Sequence, residues 1–230
     1  MWSKYRPAKN SQSTLKLTSC EMRRRLGCMN DAYISELRKF ALSRITDVPD
    51  GEPMVGLDRV LIELAVTVSV TALDSLQIRS ALDNALDAGA SVEQLQEIVA
   101  LTSGLGVHSL MACEAEILAT ARKRGLVSTD EPLNETQQEL WNKHVGQDPF
   151  WDGFSRELPG FLDAMVRLSP EMFEGFFAYC AIPWRSGTVS ARVKELAAMA
   201  CDAAPTHGFG PGFRVHLANA LALGVGRIAL

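Results

Sequence analysis

Residues 195–224 read ELAAMACDAAPTHGFGPGFRVHLANALALG, and the reading of this stretch decides the fold. An Ala-rich apolar run from Glu195 leads into a segment with two prolines and three glycines between Pro205 and Gly212, and a second apolar run closes at Gly224. Proline and glycine at that density stop a helix and supply the dihedrals of a tight turn. The stretch therefore predicts helix, turn, helix. It also brings Glu195, His207 and His216, three groups able to move protons, into a unit short enough for them to meet.

The same pattern occurs earlier. Residues 79–89 (RSALDNALDAG) match residues 214–224 (RVHLANALALG) at six of eleven positions, and Glu63-Leu64-Ala65 stands where Glu195-Leu196-Ala197 stands in the later copy. The later copy is three residues longer, and the turn between Pro205 and Gly212 is where an insertion is best tolerated. Two related helical units are expected. Ala81 occupies the position of His216, so the earlier unit lacks that imidazole and only the later one is expected to be active.

Working outward, the apolar positions Leu37, Phe40, Ala41 and Ile45 share one helical face, with Asn30 or Asp31 able to cap its start. The segment 47–56, with two prolines and two glycines, reads as a loop. A buried helix is expected over 57–73, despite the strand-favouring Val/Thr run 66–71, and another over 76–88 stopped by Gly89. Ser91 and Gln94 form a capping box that opens the next helix, and a further helix runs from about Val107 to Lys123. Ser169-Pro170 has the form of an N-cap with proline at the first helical position, opening a helix over 171–181, and 183–190 reads as loop. No strand is required, and the expected class is all-α. The expected organisation is a flexible arm over 1–20, a first, degenerate repeat over 21–125, a connector over 126–150 and a second repeat over 151–230. The helices that follow Gly89 have no counterpart after Gly224, which leaves open a shortened end, dispensable helices or cover from another subunit.

With 230 residues, 47% of them hydrophobic, a net charge of −4 and scattered basic residues, the chain suits a protein that handles small molecules rather than nucleic acid or an anionic membrane. Met22-Arg23-Arg24-Arg25 reads as a solvated helix face. Lys4, Arg6 and Lys9 are followed by polar residues, not by the apolar core of a secretory signal, and the apolar stretch 64–73 is too short to span a membrane, so a cytoplasmic location is expected. Five cysteines at irregular spacing, with no C-x-x-C, suit reduced thiols, with Cys113, Cys180 and Cys201 as small core residues.

Lys194-Glu195-Leu196, Thr206-His207, the Pro211-Gly212 turn and the run from His216 to Leu221, together with the segments 88–95 and 105–108, resemble the carboxymuconolactone decarboxylase and alkylhydroperoxidase-like superfamily. The resemblance covers most of 57–118 and 165–224. It implies an all-helical unit that assembles into homo-oligomers. The peroxidase branch of this superfamily uses a C-x-x-C pair, but His207 and Gly210 stand at those positions here, and Ser75 and Ile78 in the first unit. The decarboxylase branch has no such pair. By resemblance, the chain is then a cofactor-independent lyase or isomerase acting on a small carboxylated or lactone-type ring, with His216 as acid/base, Glu195 orienting it and His207 helping with the substrate.

The other readings are concrete. Peroxide reduction would have to run on Cys180 and Cys201, and a non-catalytic helical small-molecule binder or scaffold would need no chemistry at all. His207, His216 and Glu195 as metal ligands are disfavoured, because the histidines lie nine residues apart across a turn; no metal and no cofactor are expected. Arg185 and Arg214 are candidates for holding a substrate carboxylate, while His108 and His144 have no partner in the local sequence.

Overall fold

The computed structural model describes residues 19–128 and 131–230, with side chains from residue 31 onward. Twelve α-helices occur among them, and no strand. In chain order they are α1 (Ser19–Ile45), α2 (Gly56–Thr67), α3 (Ser75–Asp87), α4 (Val92–Ser103), α5 (His108–Lys123), α6 (Glu135–His144), α7 (Phe150–Glu157), α8 (Phe161–Leu168), α9 (Pro170–Cys180), α10 (Ile182–Arg185), α11 (Ala191–Ala203) and α12 (Gly210–Ala222). A 3-10 turn, Gly104–Val107, links α4 to α5.

Helix α11 is the centre, and its sequence explains why. Nine of its thirteen residues are buried, which an Ala-rich helix permits because neighbouring backbones can approach it on every side. Val193, Ala197 and Cys201 make one stripe, packed into a core with Leu61, Leu64 and Ala65 of α2 and Ile98 and Leu101 of α4. Leu196 and Met199 make a second, facing Phe213, Leu217 and Ala220 of α12 and Leu37 of α1. Glu195, Ala198 and Asp202 fall on the remaining side at helical spacing. A third, aromatic core holds Phe161, Met165, Phe173 and Phe176 of α8 and α9 with residues of α5 to α7 packed on it. Helices α2 and α11, which open the two segments that align in sequence, are neighbours.

Locally determined ends form as the sequence dictates. Ser91 and Gln94 close the capping box, Ser169 accepts from the Met172 amide with Pro170 beginning α9, and Gly89 takes the left-handed conformation at φ 91°. Other expectations are corrected. Helix α1 begins at Ser19, so Asn30 and Asp31 lie inside it rather than at its start. The helix expected over 57–73 ends at Thr67, and a turn reaching Leu73 at φ 46° precedes Asp74, whose carboxylate accepts from the Leu76 and Gln77 amides and starts α3. The loop expected over 183–190 contains the short helix α10. Cys113 is exposed rather than a core residue. The arm over 1–20 lies, except for its last two residues, outside the described residues, as do the side chains of the Met22–Arg25 run.

Among the described residues one helical run, Val92–Lys123, is long and apolar enough, by length and composition, to cross a membrane. In the fold it is two helices broken at the 3-10 turn, with Ile98, Leu101, Leu105 and Leu118 buried in the protein's own cores.

One buried charge fixes the approach to α11. The Lys194 ammonium is 2% exposed, pairs with Glu97 of α4, and donates to the carbonyls of Pro183 (2.6 Å) and Ser186 (2.7 Å). Glu97 also accepts from the Ser186 hydroxyl at 2.5 Å. Burial pushes the Glu97 carboxyl up, but Lys194 and Ser186 outweigh it and hold the group below its usual range. A buried ion pair persists only when its remaining donors and acceptors are satisfied, as they are here.

Candidate active site

The third side of α11 meets α12 at a polar cluster. Glu195 is only 6% exposed, against the usual expectation that a carboxylate on an Ala-rich helix marks its wet edge. Its Oε2 lies 2.6 Å from His216 Nδ1, and its Oε1 accepts from Asn219 Nδ2 at 3.1 Å. Helical spacing places His216 and Asn219 one turn apart on the same side of α12, so a single carboxylate engages both. An ionised carboxylate only accepts, so His216 Nδ1 carries the proton and Nε2 is the ring atom left for chemistry. Burial would lower the His216 pKa, but the hydrogen bond and charge of Glu195, followed by the charge of Asp202, raise it above its ordinary value.

Asp202, seven residues after Glu195, is the most deeply buried charged residue in the cluster at 0% exposure. Its Oδ2 is 3.9 Å from His216 Nε2, and its Oδ1 is 3.4 Å from His108 Nδ1 and 3.6 Å from His207 Nε2. Neither oxygen has a hydrogen-bond partner among the described residues. Burial raises the carboxyl to about 7, with His216 pulling the other way. The backbone carbonyl of the same residue is held by the Tyr33 hydroxyl and the Phe209 amide, both at 3.0 Å. Gly212 is what lets α12 come this close: a β-carbon there would sit 2.3 Å from Asp202 Oδ2.

His108, at the start of α5, and His207, in the turn, share a hydrogen bond of 2.8 Å between Nδ1 and Nε2. Phe209 stacks on His108 at 4.0 Å. Burial, reinforced by the charges of His207 and His216, pushes His108 down to about 3, and burial also lowers His207. Both rings are therefore neutral at pH 7.

Three members of the cluster, His108, His216 and Asn219, line a cavity of about 360 Å³. Tyr179, whose hydroxyl bonds Ser103, also lines it, and Trp151, Phe154, Phe176, Phe177 and Trp184 supply aromatic wall. That volume lies at the small end of ligand pockets, and the mostly apolar wall with a few convergent polar groups is the usual form of a small-molecule site.

Of the residues singled out by sequence, Glu195 and His216 are in direct contact. His207 bonds His108 instead, and the fold joins it to His216 only through Asp202. His108, which has no partner in the local sequence, belongs to the cluster, and Asp202 and Asn219 complete it. Arg214 pairs with Glu157 at 2.5 Å in a neighbouring cleft of about 410 Å³, and Arg185 is exposed; neither lines the cavity beside His216. His144 bonds Glu174 at 2.8 Å and stacks on Phe177. Burial pushes the thiols of Cys180 and Cys201 up to about 11 and 12, the opposite of what a nucleophilic cysteine needs.

No protein-family model matches the chain, and no curated protein matches it in sequence. Among solved structures it is similar to a crystal structure from Burkholderia xenovorans LB400, provisionally assigned as a gamma-carboxymuconolactone decarboxylase subunit. The TM-score is 0.64 and the identity 26%, over 86% of this chain and 75% of that one. The all-α architecture is thus of the carboxymuconolactone decarboxylase type.

Proposed function

We propose that this protein is a lyase or isomerase of the carboxymuconolactone decarboxylase family, acting by acid/base catalysis on a small carboxylated or lactone-type ring. One observation carries the reading: a buried Glu195–His216 pair, 2.6 Å apart, with the imidazole lining an aromatic-walled cavity. In a decarboxylation the bond from ring carbon to carboxylate breaks and its electron pair delocalises toward the lactone carbonyl. The imidazolium of His216 then delivers its Nε2 proton to carbon, while the Asn219 amide and the neutral His108 ring are the polar groups near which an oxyanion can develop. Glu195 holds the ring in the required tautomer and balances its charge.

Peroxide reduction through Cys180 and Cys201 lacks support, because neither thiol is activated. Likeness to a protein assigned as a subunit, and exposed apolar side chains such as Leu76, Ile117, Leu126 and Ile228, support a homo-oligomer, which solution mass would test. Function is tested by incubating the protein with a panel of carboxylated lactones and related ring acids and following ring absorbance and carbon dioxide release. Turnover of at least one member that falls 10²-fold or more in His216→Ala, roughly the worth of a positioned acid/base, is the expected result. Equal turnover in that variant would exclude the mechanism.

A further inference from the structure

We propose that His108, Asp202 and His207 form a binding site for one first-row divalent transition-metal ion. Three observations converge on it. The Asp202 carboxylate is fully buried with both oxygens unpartnered among the described residues, and a bound cation would supply the partner they lack. Two imidazole nitrogens stand 3.4 and 3.6 Å from the same oxygen. The ligand atoms Nδ1 of His108, Nε2 of His207 and Oδ1 of Asp202 stand 2.8, 3.4 and 3.6 Å apart.

Those edges suit an ion at their centre. Bonds of about 2.0–2.2 Å, the length usual for zinc with imidazole and carboxylate, place cis ligand atoms roughly 3.0 Å apart in octahedral and roughly 3.4 Å apart in tetrahedral coordination. The observed triangle brackets both. The hydrogen bond the two rings now share is the contact an ion would replace. Two imidazoles and one carboxylate select zinc, iron, cobalt, nickel or manganese over the harder calcium and magnesium, and leave coordination positions open.

The surroundings are those of a supported ligand set. Phe209 stacks on His108, the turn from Ala204 to Phe209 fixes His207 through its amide bond to the Ala204 carbonyl (2.9 Å), and Gly212 makes the room that Asp202 occupies. His108 also lines the cavity beside His216, so the site adjoins the pocket without including Glu195 or the ring atom that Glu195 engages. The site therefore goes beyond the acid/base reading, which stands on Glu195 and His216 whether or not an ion binds.

The test uses tag-free, full-length protein stripped with chelator and titrated with cobalt(II), followed by visible d–d absorption and calorimetry. One cobalt per chain, displaced by zinc(II), is expected, with zinc raising the unfolding temperature of the wild type. His207→Ala and Asp202→Asn should weaken cobalt binding roughly 100-fold or more, while His144→Gln, remote from the cluster, should bind as the wild type does. His207 lies in a turn, so its variant carries the test if circular dichroism shows that Asp202→Asn does not fold. Absence of a stoichiometric cobalt spectrum in the wild type, or unchanged binding in His207→Ala, would overturn the proposal.

Discussion

Gly212→Ala is the smallest change that interrogates the junction of α11 and α12. The added β-carbon would lie 2.3 Å from Asp202 Oδ2 and 2.8 Å from Phe209 Cδ1, where ordinary contact begins near 3.4 Å. The carboxylate, fully buried, must therefore retreat by about 1 Å. Overpacking of this kind costs about 1–3 kcal/mol, which for a domain of this size is a fall in unfolding temperature of roughly 3–10 °C. Gly175→Ala is the control: it lies inside α9, its β-carbon would meet nothing within 4 Å, and replacing a helical glycine by alanine should stabilise by roughly 0.5–1 kcal/mol. Thermal unfolding of both variants by circular dichroism reads the difference directly. The retreat also moves Oδ2 relative to His216 Nε2 and Oδ1 relative to both other histidines, so turnover and cobalt binding should fall with stability. A Gly212→Ala protein as stable as the wild type, and no less stable relative to Gly175→Ala, would mean that α12 does not press on Asp202, and the geometry of the cluster would be wrong.

Lys194→Met should destabilise by about 3–5 kcal/mol, because it strands Glu97 among apolar neighbours, whereas Lys194→Met with Glu97→Leu should recover most of the loss in denaturant unfolding. Because the Glu97 carboxyl is held below its usual range, its contribution is complete above the unfolded-state value near 4.5 and disappears as pH falls through the lower folded-state value. Acid unfolding of Glu97→Gln should therefore show a shallower pH dependence in that window than the wild type. Glu195→Gln retains the shape but not the charge that favours imidazolium, so kcat should drop by 10-fold or more with the fold intact, as judged by steady-state kinetics and far-ultraviolet dichroism. Cys180→Ser and Cys201→Ala should leave turnover of the ring acids within a few-fold of wild type; loss of activity in both would revive the thiol reading.

What could be read in the sequence was local. The capping box at Ser91, the Ser169-Pro170 start and the stop at Gly89 each depend on residues within a turn of one another, and each forms as expected. The Glu195–His216 contact was accessible because the two sit on consecutive helices joined by a short turn. His108 was not, since it reaches His207 across 99 residues of chain, and no periodicity on α5 reports which helix it will face. Asp202 could have been suspected: it follows Glu195 by seven residues, two turns along the same side of a helix whose other positions are nearly all apolar. The ends of α1 and α2 were misjudged for physical reasons. An Asn within a helical pattern does not by itself mark the start of α1, and the Val/Thr run after Thr67 is β-branched, poorly suited to prolonging α2 once it leaves the core.

The central claim is that Glu195 and His216 act together on a ligand in the aromatic cavity, and a double-mutant cycle on turnover of the best ring acid measures it most directly. If the pair is one catalytic unit, His216→Ala with Glu195→Ala will be no slower than His216→Ala alone, because removing the carboxylate has nothing left to orient. Independent, multiplicative losses, or a His216→Ala enzyme that keeps wild-type kcat, would contradict it.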